Sequence, residues 1–219
     1  MLEDLILVGA GGASRAIAWA VEDINRIEPR WRLLGFLDDN PARHGQLVDG
    51  YPVLGPLSSA MDYPFCRFLI GIANHHQLPV RKTVVEKLGL GPERFATLVH
   101  PSACVSRHAI LGAGTAILTN VAVDPGVSVG NHVIVSHQCG IGHDATVEDY
   151  VTMAPQTRLS GSVRVGAGAY LGAGCAILQG VRVGECALVG IGSVVIRNVP
   201  AHITVFGNPA RPRRGPRHR

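Results

Sequence analysis

The sequence predicts two joined architectures: a small α/β domain over residues 1–97 and a parallel β-helix of short coils over residues 98–219. Three observations carry this reading. Aliphatic residues recur every six positions without a break from Val105 to Val195, a glycine-rich turn stands between a strand and a helix near the start, and the chain has 27 glycines, 16% charged residues and 5% aromatics. Many turns, few charges and a core of small and aliphatic side chains argue against disorder and for a tightly turned repeat.

The period sets the second part. Stepping by six from Val105 meets Leu111, Ile117, Val123, Val129, Val135 and so on through Val189 to Val195, and all sixteen positions are aliphatic. With about a third of residues aliphatic, chance yields such a run on the order of once in ten million. The position four residues later, from Ala109 and Thr115 to Ser193 and Val199, is always small or β-branched. Glycine often follows the aliphatic residue, as at Gly112, Gly130 and Gly142. Six is neither a helical period nor plain strand alternation. It fits a short strand and a sharp corner, three of which make an 18-residue triangular coil, with coils stacked strand on strand about 4.8 Å apart. One coil cannot bury its own face, so stacking makes the core.

The first part has no repeat. A strand over residues 5–8 leads into Gly9-Ala10-Gly11-Gly12-Ala13-Ser14 and a helix over 15–27. A second strand, over 33–37, ends in Asp38-Asp39. A third, over 68–70, leads to Gly71 and a helix over 78–88. This β-α-β order predicts a small parallel sheet with a Rossmann-like start. Glycines between a strand and a helix let a phosphate approach the helix N-terminus. Ser14 stands where a dinucleotide fingerprint has its third glycine, and some 97 residues are too few for a two-half dinucleotide fold, which argues against an NAD-dependent enzyme. The loop is then either a structural turn or a nucleotide or nucleotide-sugar site.

Charge and cysteines narrow the class. The net charge is +4, with Arg211, Arg213, Arg214, Arg217 and Arg219 in the last nine residues. These form a solvated tail or meet the phosphates of a ligand; no aromatic residues interleave with them, which argues against nucleic acid. The five cysteines lack zinc-like spacing and read as reduced thiols of a cytoplasmic protein. No apolar run reaches the roughly 18 residues of a membrane span.

Three histidines fall in consecutive hexads: His132, His137 and His143, the last followed by Asp144. A carboxylate beside an imidazole orients it and raises its basicity. His137 and His143 hold the same place in successive hexads, so they project from different faces and could approach only across a trimer interface. His132 and His137 also read as exposed corner residues. The spacing does not suit three histidines on one metal, so no metal site is expected.

The hexad pattern resembles the hexapeptide-repeat acyltransferases. That resemblance implies a left-handed parallel β-helix, a homotrimer and acetyl-CoA as co-substrate. The stretches Val8-Gly9-Ala10-Gly11-Gly12, Phe36-Leu37-Asp38-Asp39-Asn40-Pro41, Pro52-Val53-Leu54-Gly55 and His100-Pro101-Ser102-Ala103 are similar to the sialic-acid O-acetyltransferase and bacillosamine-pathway N-acetyltransferase group. The resemblance implies an N-acetyltransferase for a nucleotide-linked amino sugar, with a sugar O-acetyltransferase and a non-catalytic trimeric scaffold as alternatives. It implies His143 as base with Asp144 as its partner. Gly161 would supply an amide for the oxyanion, and Gly172, Ala173, Gly190 and Ile191 would line the pantetheine groove. Thr152 stands where several relatives have a second histidine on acetyl-CoA. Gly11, Gly12 and Ala13 would face the phosphates or sugar, Asp38 and Asp39 the nucleoside end, and Gly71 the same pocket. The closing Phe206-Gly207-Asn208-Pro209-Ala210-Arg211 is similar to the segment that covers the CoA end.

Overall fold

The computed structural model describes residues 2–74 and 78–213. His75, His76, Arg214, Arg217 and Arg219 lie outside the described residues. The N-terminal domain runs β1 (Glu3–Val8), α1 (Gly12–Ile27), β2 (Trp31–Leu37), β3 (Leu47–Val48), β4 (Tyr51–Gly55), β5 (Arg67–Ile70) and α2 (Val80–Leu88). Its sheet has the order β3-β4-β2-β1-β5, parallel except for β3. Strand alternation along β1 sends Leu5 and Leu7 into one core with Ile17 and Phe36, and Ile6 and Val8 into another with Phe68 and Ile70. Each such side chain withdrawn from water contributes roughly 1.5–3 kcal/mol. α1 starts three residues before the expected position, because Gly11 serves as its N-cap. The β3–β4 hairpin was not expected from the sequence. Pro52 within it has no N–H for a ladder, and such a residue argues against a strand.

From Leu98 on, two-residue strands recur every six residues and pair with the strand 18 residues later. They form three parallel sheets, the faces of a prism. Face I runs from Cys104–Val105 to Val194–Val195, face II from Ile110–Leu111 to Arg182–Val183, and face III from Leu98–Val99 to Leu188–Val189. Face III continues with Thr204–Phe206 and the antiparallel Arg211–Pro212. The second residue of each strand and the small residue before the strand both point inward, so Val133, Val135, Cys139 and Ile141 are all buried. Every sixth residue from Gly114 to Gly192 has positive φ, fourteen in succession. Only some of these are glycine; the others include Asn120, His132, Asp144 and Tyr150. The glycines after the strands answer a different need: a Cβ on Gly172 would stand 2.7 Å from the Ile191 nitrogen of the next coil.

The N-terminal domain covers face III. Its core takes in Ala116 and Leu118 from the outer side of that face, while Ile117 between them belongs to the prism core. Arg81, on α2 and almost wholly buried, donates to the carbonyls of Ile72 (2.7 Å), His132 (2.8 Å) and Tyr150 (2.5 Å). His132 is therefore not an exposed corner residue. It stacks on Tyr150 of the next coil with centroids 5.5 Å apart and meets Phe95 edge-on at 4.6 Å. Burial, and then the charge of Arg81, push its pKa down to about 4.

Candidate active site

The three edges of the prism divide the expected site residues. His143 and Gly161 occupy the edge between faces I and II, one coil apart. Ala173 and Ile191 occupy the edge between faces III and I, with His137 two coils before Ala173. One chain thus separates the His143 edge from the Ile191 edge by the width of face I.

At the first edge, His143 Nδ1 and Asp144 Oδ2 are 2.9 Å apart, and both side chains are more than half exposed. Asp144 has φ 59°, a conformation that aspartate tolerates better than most residues. Gly126, one coil earlier, leaves room for its carboxylate. With Nδ1 committed to Asp144, Nε2 is left over Gly161, where a Cβ would collide with the ring, 2.6 Å from Cε1. Gly161 is buried beneath that ring. Among the described residues its N–H meets no acceptor, whereas the equivalent amides of Ala113, Asn131 and Ala167 donate to side-chain oxygens. Gly142 keeps this amide uncovered: a Cβ there would stand 2.8 Å from the Gly161 nitrogen.

At the second edge Ala173 is partly exposed and Ile191 is 80% exposed. Gly172 is buried, and its amide, like that of Gly190, is used in the ladder to the next coil. Thr152 lies on face III and is buried, away from both edges.

The glycine loop opens on a cavity of about 540 Å³, and Gly11, Gly12, Ala13, Asp38, Asp39 and Gly71 all line it. α1 begins there without a side-chain cap and without an acid in its first turn, so its leading N–H groups face the cavity. Ser14 replaces the third glycine and is buried; its Oγ donates to the Gly71 carbonyl at 3.1 Å. The close approach of helix and sheet is retained from the other side, since Gly71 has no Cβ to meet Ser14. The two aspartates are largely engaged within the protein. Asp38 accepts from the Ala10 and Asn40 amides and from Arg43. Asp39 accepts from the Leu57 amide and Lys87, and the Lys87 ammonium holds its pKa below the usual carboxylate value. The sequence reading missed Arg43, which also lines the cavity; its only signal was its place four residues beyond the aspartate pair.

A prism of hexad coils with a His–Asp pair on one edge, joined to a domain with a glycine-loop cavity, defines a hexapeptide-repeat acyltransferase. Comparison with known proteins agrees. Residues 4–88 match the PglD N-terminal domain model. The chain is 35% identical to GDP-perosamine N-acetyltransferase of Escherichia coli O157:H7 over 81% of each protein. The acetyltransferase domain of PglB from Neisseria gonorrhoeae superposes with TM-score 0.85 at 28% identity, covering 96% of this chain and 100% of that one. PerB from Caulobacter crescentus, solved with CoA and GDP-perosamine, superposes with TM-score 0.84 at 25% identity, covering 98% and 99%. The chain belongs to the hexapeptide-repeat nucleotide-sugar N-acetyltransferase family that includes the GDP-perosamine enzymes.

Proposed function

We propose that this protein transfers the acetyl group of acetyl-CoA to the amine of a nucleotide-linked amino sugar. The observation that carries the chemistry is the His143–Asp144 pair with Nε2 free above Gly161. In this reading the glycine-loop cavity holds the nucleotide sugar, with its diphosphate at Gly11 and Gly12. The amine attacks the thioester carbonyl while His143 Nε2 accepts its proton, and Asp144 supports the imidazolium. The carbonyl oxygen takes up negative charge, and the Gly161 N–H meets it through the notch at Gly142. The intermediate collapses, the C–S bond breaks and His143 returns the proton to the CoA sulfur. No acyl-enzyme is required: Cys139 and Cys175 are buried, and burial raises both thiols to about 11.

The protein acts as a homotrimer. Face III is covered by the N-terminal domain, and face II carries Arg164 and Arg182. Face I turns outward Cys104, Ala122, Gly140, Arg158, Ala176 and Val194, mostly small side chains suited to packing prism against prism. With face I toward a threefold axis, the His143 edge of one copy abuts the His137–Ile191 edge of the next, so two chains build each site. Acetyl-CoA lies in that groove along Ala173 and Ile191. Thr152 has no direct part in this arrangement. A mass in solution near three times 23.1 kDa is expected, and a 23.1 kDa species would remove the proposal. A cytoplasmic location fits five unpaired cysteines, and among the described residues no helix is long and apolar enough to cross a membrane.

The deciding experiment is CoA release from acetyl-CoA with GDP-, UDP- and dTDP-linked 4-amino sugars and free sialic acid, for wild type and His143→Ala. Turnover with a nucleotide amino sugar that the variant loses by about 10²–10⁴-fold is the expected result. Turnover with sialic acid alone would replace the amine acceptor by a hydroxyl.

A further inference from the structure

α1 carries a large aromatic residue that the reaction scheme does not use. Trp19 is 46% exposed, although the rest of the helix buries Ile17, Ala18, Ala20 and Val21. It is held from two sides. The His100 ring lies 6.4 Å away at 50° and the His137 ring 5.9 Å away at 47°. His100 is itself fixed, with Nδ1 2.8 Å from Ser102 Oγ and Nε2 3.2 Å from Asp23 Oδ2. An exposed indole restrained in this way presents a preorganised apolar face.

Its location says what that face meets. Gly12 and Trp19 are seven residues apart on α1, hence on one stripe of the helix and about 10 Å apart along its axis. A sugar linked to a diphosphate seated at Gly12 would extend along this stripe toward Trp19. Asp38, Asp39, Arg43 and Leu57 bound the cavity at the ends of the sheet strands, while Trp19 stands at the prism edge beside His137. His137 and His143 belong to one coil, at the two edges that flank face I. The acceptor amine has to reach a His143, so the sugar is the part of the ligand that belongs at this edge. The pantetheine groove at Ala173 and Ile191 lies two or more coils away, about 10 Å at the 4.8 Å spacing of stacked strands.

We propose that Trp19, backed by His100 and His137, is the stacking platform for the sugar ring of the nucleotide-linked acceptor and a determinant of acceptor specificity. Sugar rings present C–H faces that pack on an indole, and a deoxygenated C6 adds an apolar methyl group to that contact. The assignment rests on the N-acetyltransferase and trimer reading above. It predicts a loss of acceptor binding with the acetyl-CoA site unchanged.

The test uses the nucleotide amino sugar that turns over fastest in the panel above. Trp19→Ala should raise its KM about tenfold or more and leave the KM for acetyl-CoA within twofold. Trp19→Phe should restore the acceptor KM to within about threefold of wild type. That nucleotide sugar should quench the indole emission of wild type but not of Trp19→Phe, and the nucleoside diphosphate alone should leave it unchanged. An unchanged acceptor KM in Trp19→Ala, an equal rise in both KM values, or full quenching by the nucleoside diphosphate or by CoA would each overturn the assignment while the N-acetyltransferase reading stood. If wild type turned over no member of the panel, that reading would fail and the assignment with it.

Discussion

The imidazole of His143 fills the space above Gly161, the residue 18 positions later in the chain and one coil along the prism. Both roles proposed for this edge depend on that contact: the missing Cβ lets the ring lie flat, and the Gly161 amide has no acceptor of its own among the described residues. Gly161→Ala places a methyl group inside van der Waals distance of the ring. The Gly161 backbone is not in the left-handed region, so the substitution carries no conformational strain. It should lower kcat on the order of 10²-fold, as expected for a displaced base, with a thermal midpoint close to wild type. Steady-state kinetics beside a melting curve check this, and full activity would remove the stacked arrangement from the mechanism.

In the proposed mechanism Asp144 orients the base, and it does so from a left-handed turn position, which makes the choice of substitution important. Asn occupies such positions readily, so Asp144→Asn keeps the backbone and removes the charge that supports the imidazolium. A fall in kcat of about tenfold with little change in either KM is the expected outcome. A rise in KM alone would mean that Asp144 contacts a substrate instead.

The prism was legible because its period follows from side-chain size. Residues such as Val135 and Ile141 must fill the interior, and any other spacing would turn them outward. Its left-handed turn positions were not legible, since Asn120, His132, Tyr150 and Cys186 share that conformation without sharing a residue type. Helix α1 and the strands around the glycine loop could be read from local pattern, and all six cavity residues named from the sequence came together. The β3–β4 hairpin could not, because Pro52 contradicts the strand signal and pairing with β2 overrides it. The burial of His132 and Thr152 was hidden for a further reason. It depends on which face the N-terminal domain covers, and nothing within the hexads marks that face.

His132 carries a pH dependence of stability. Its pKa is about 4 in the folded protein against an ordinary value near 6.5, so the unfolded chain binds the proton more readily. The stabilisation is present above about pH 6.5 and is lost as the pH falls toward 4. From pH 7 to pH 5 this single group should cost about 2 kcal/mol. His132→Asn, which suits the φ of 54°, should be less stable at pH 7 and should lose less stability on acidification. Urea unfolding of both proteins at the two pH values measures the difference, and equal losses would assign the acid sensitivity to other groups.

Arg81 joins the domains without an acidic partner. Its guanidinium meets three carbonyls, two of them on successive coils of the prism, and no carboxylate pairs with it among the described residues. Burial lowers its pKa to about 10, so it remains charged at neutral pH. Arg81→Met is similar in length but leaves those carbonyls without their donor, at a cost on the order of 3 kcal/mol. Since two of the three lost bonds lie between the domains, the N-terminal domain should unfold before the prism. Two urea transitions in place of one, or early proteolysis confined to residues 2–97, would show this.

Gly71 offers a test of the cavity that leaves the His143 edge untouched. A Cβ at this position would stand 2.6 Å from Ser14 Cα, so relief requires α1 to move away from β5. That movement would shift Gly11 and Gly12, the leading residues of the helix, out of their place on the cavity wall. Gly71→Ala should therefore raise the KM for the nucleotide sugar about tenfold or more and leave the KM for acetyl-CoA unchanged. Adding Ser14→Gly removes the hydroxyl and the Cβ but not the Cα, so the double variant should recover only part of the loss. Complete recovery would mean that the Ser14 side chain alone, and not the approach of helix to sheet, fixes the cavity. An unchanged KM in the single variant would separate the cavity from acceptor binding altogether.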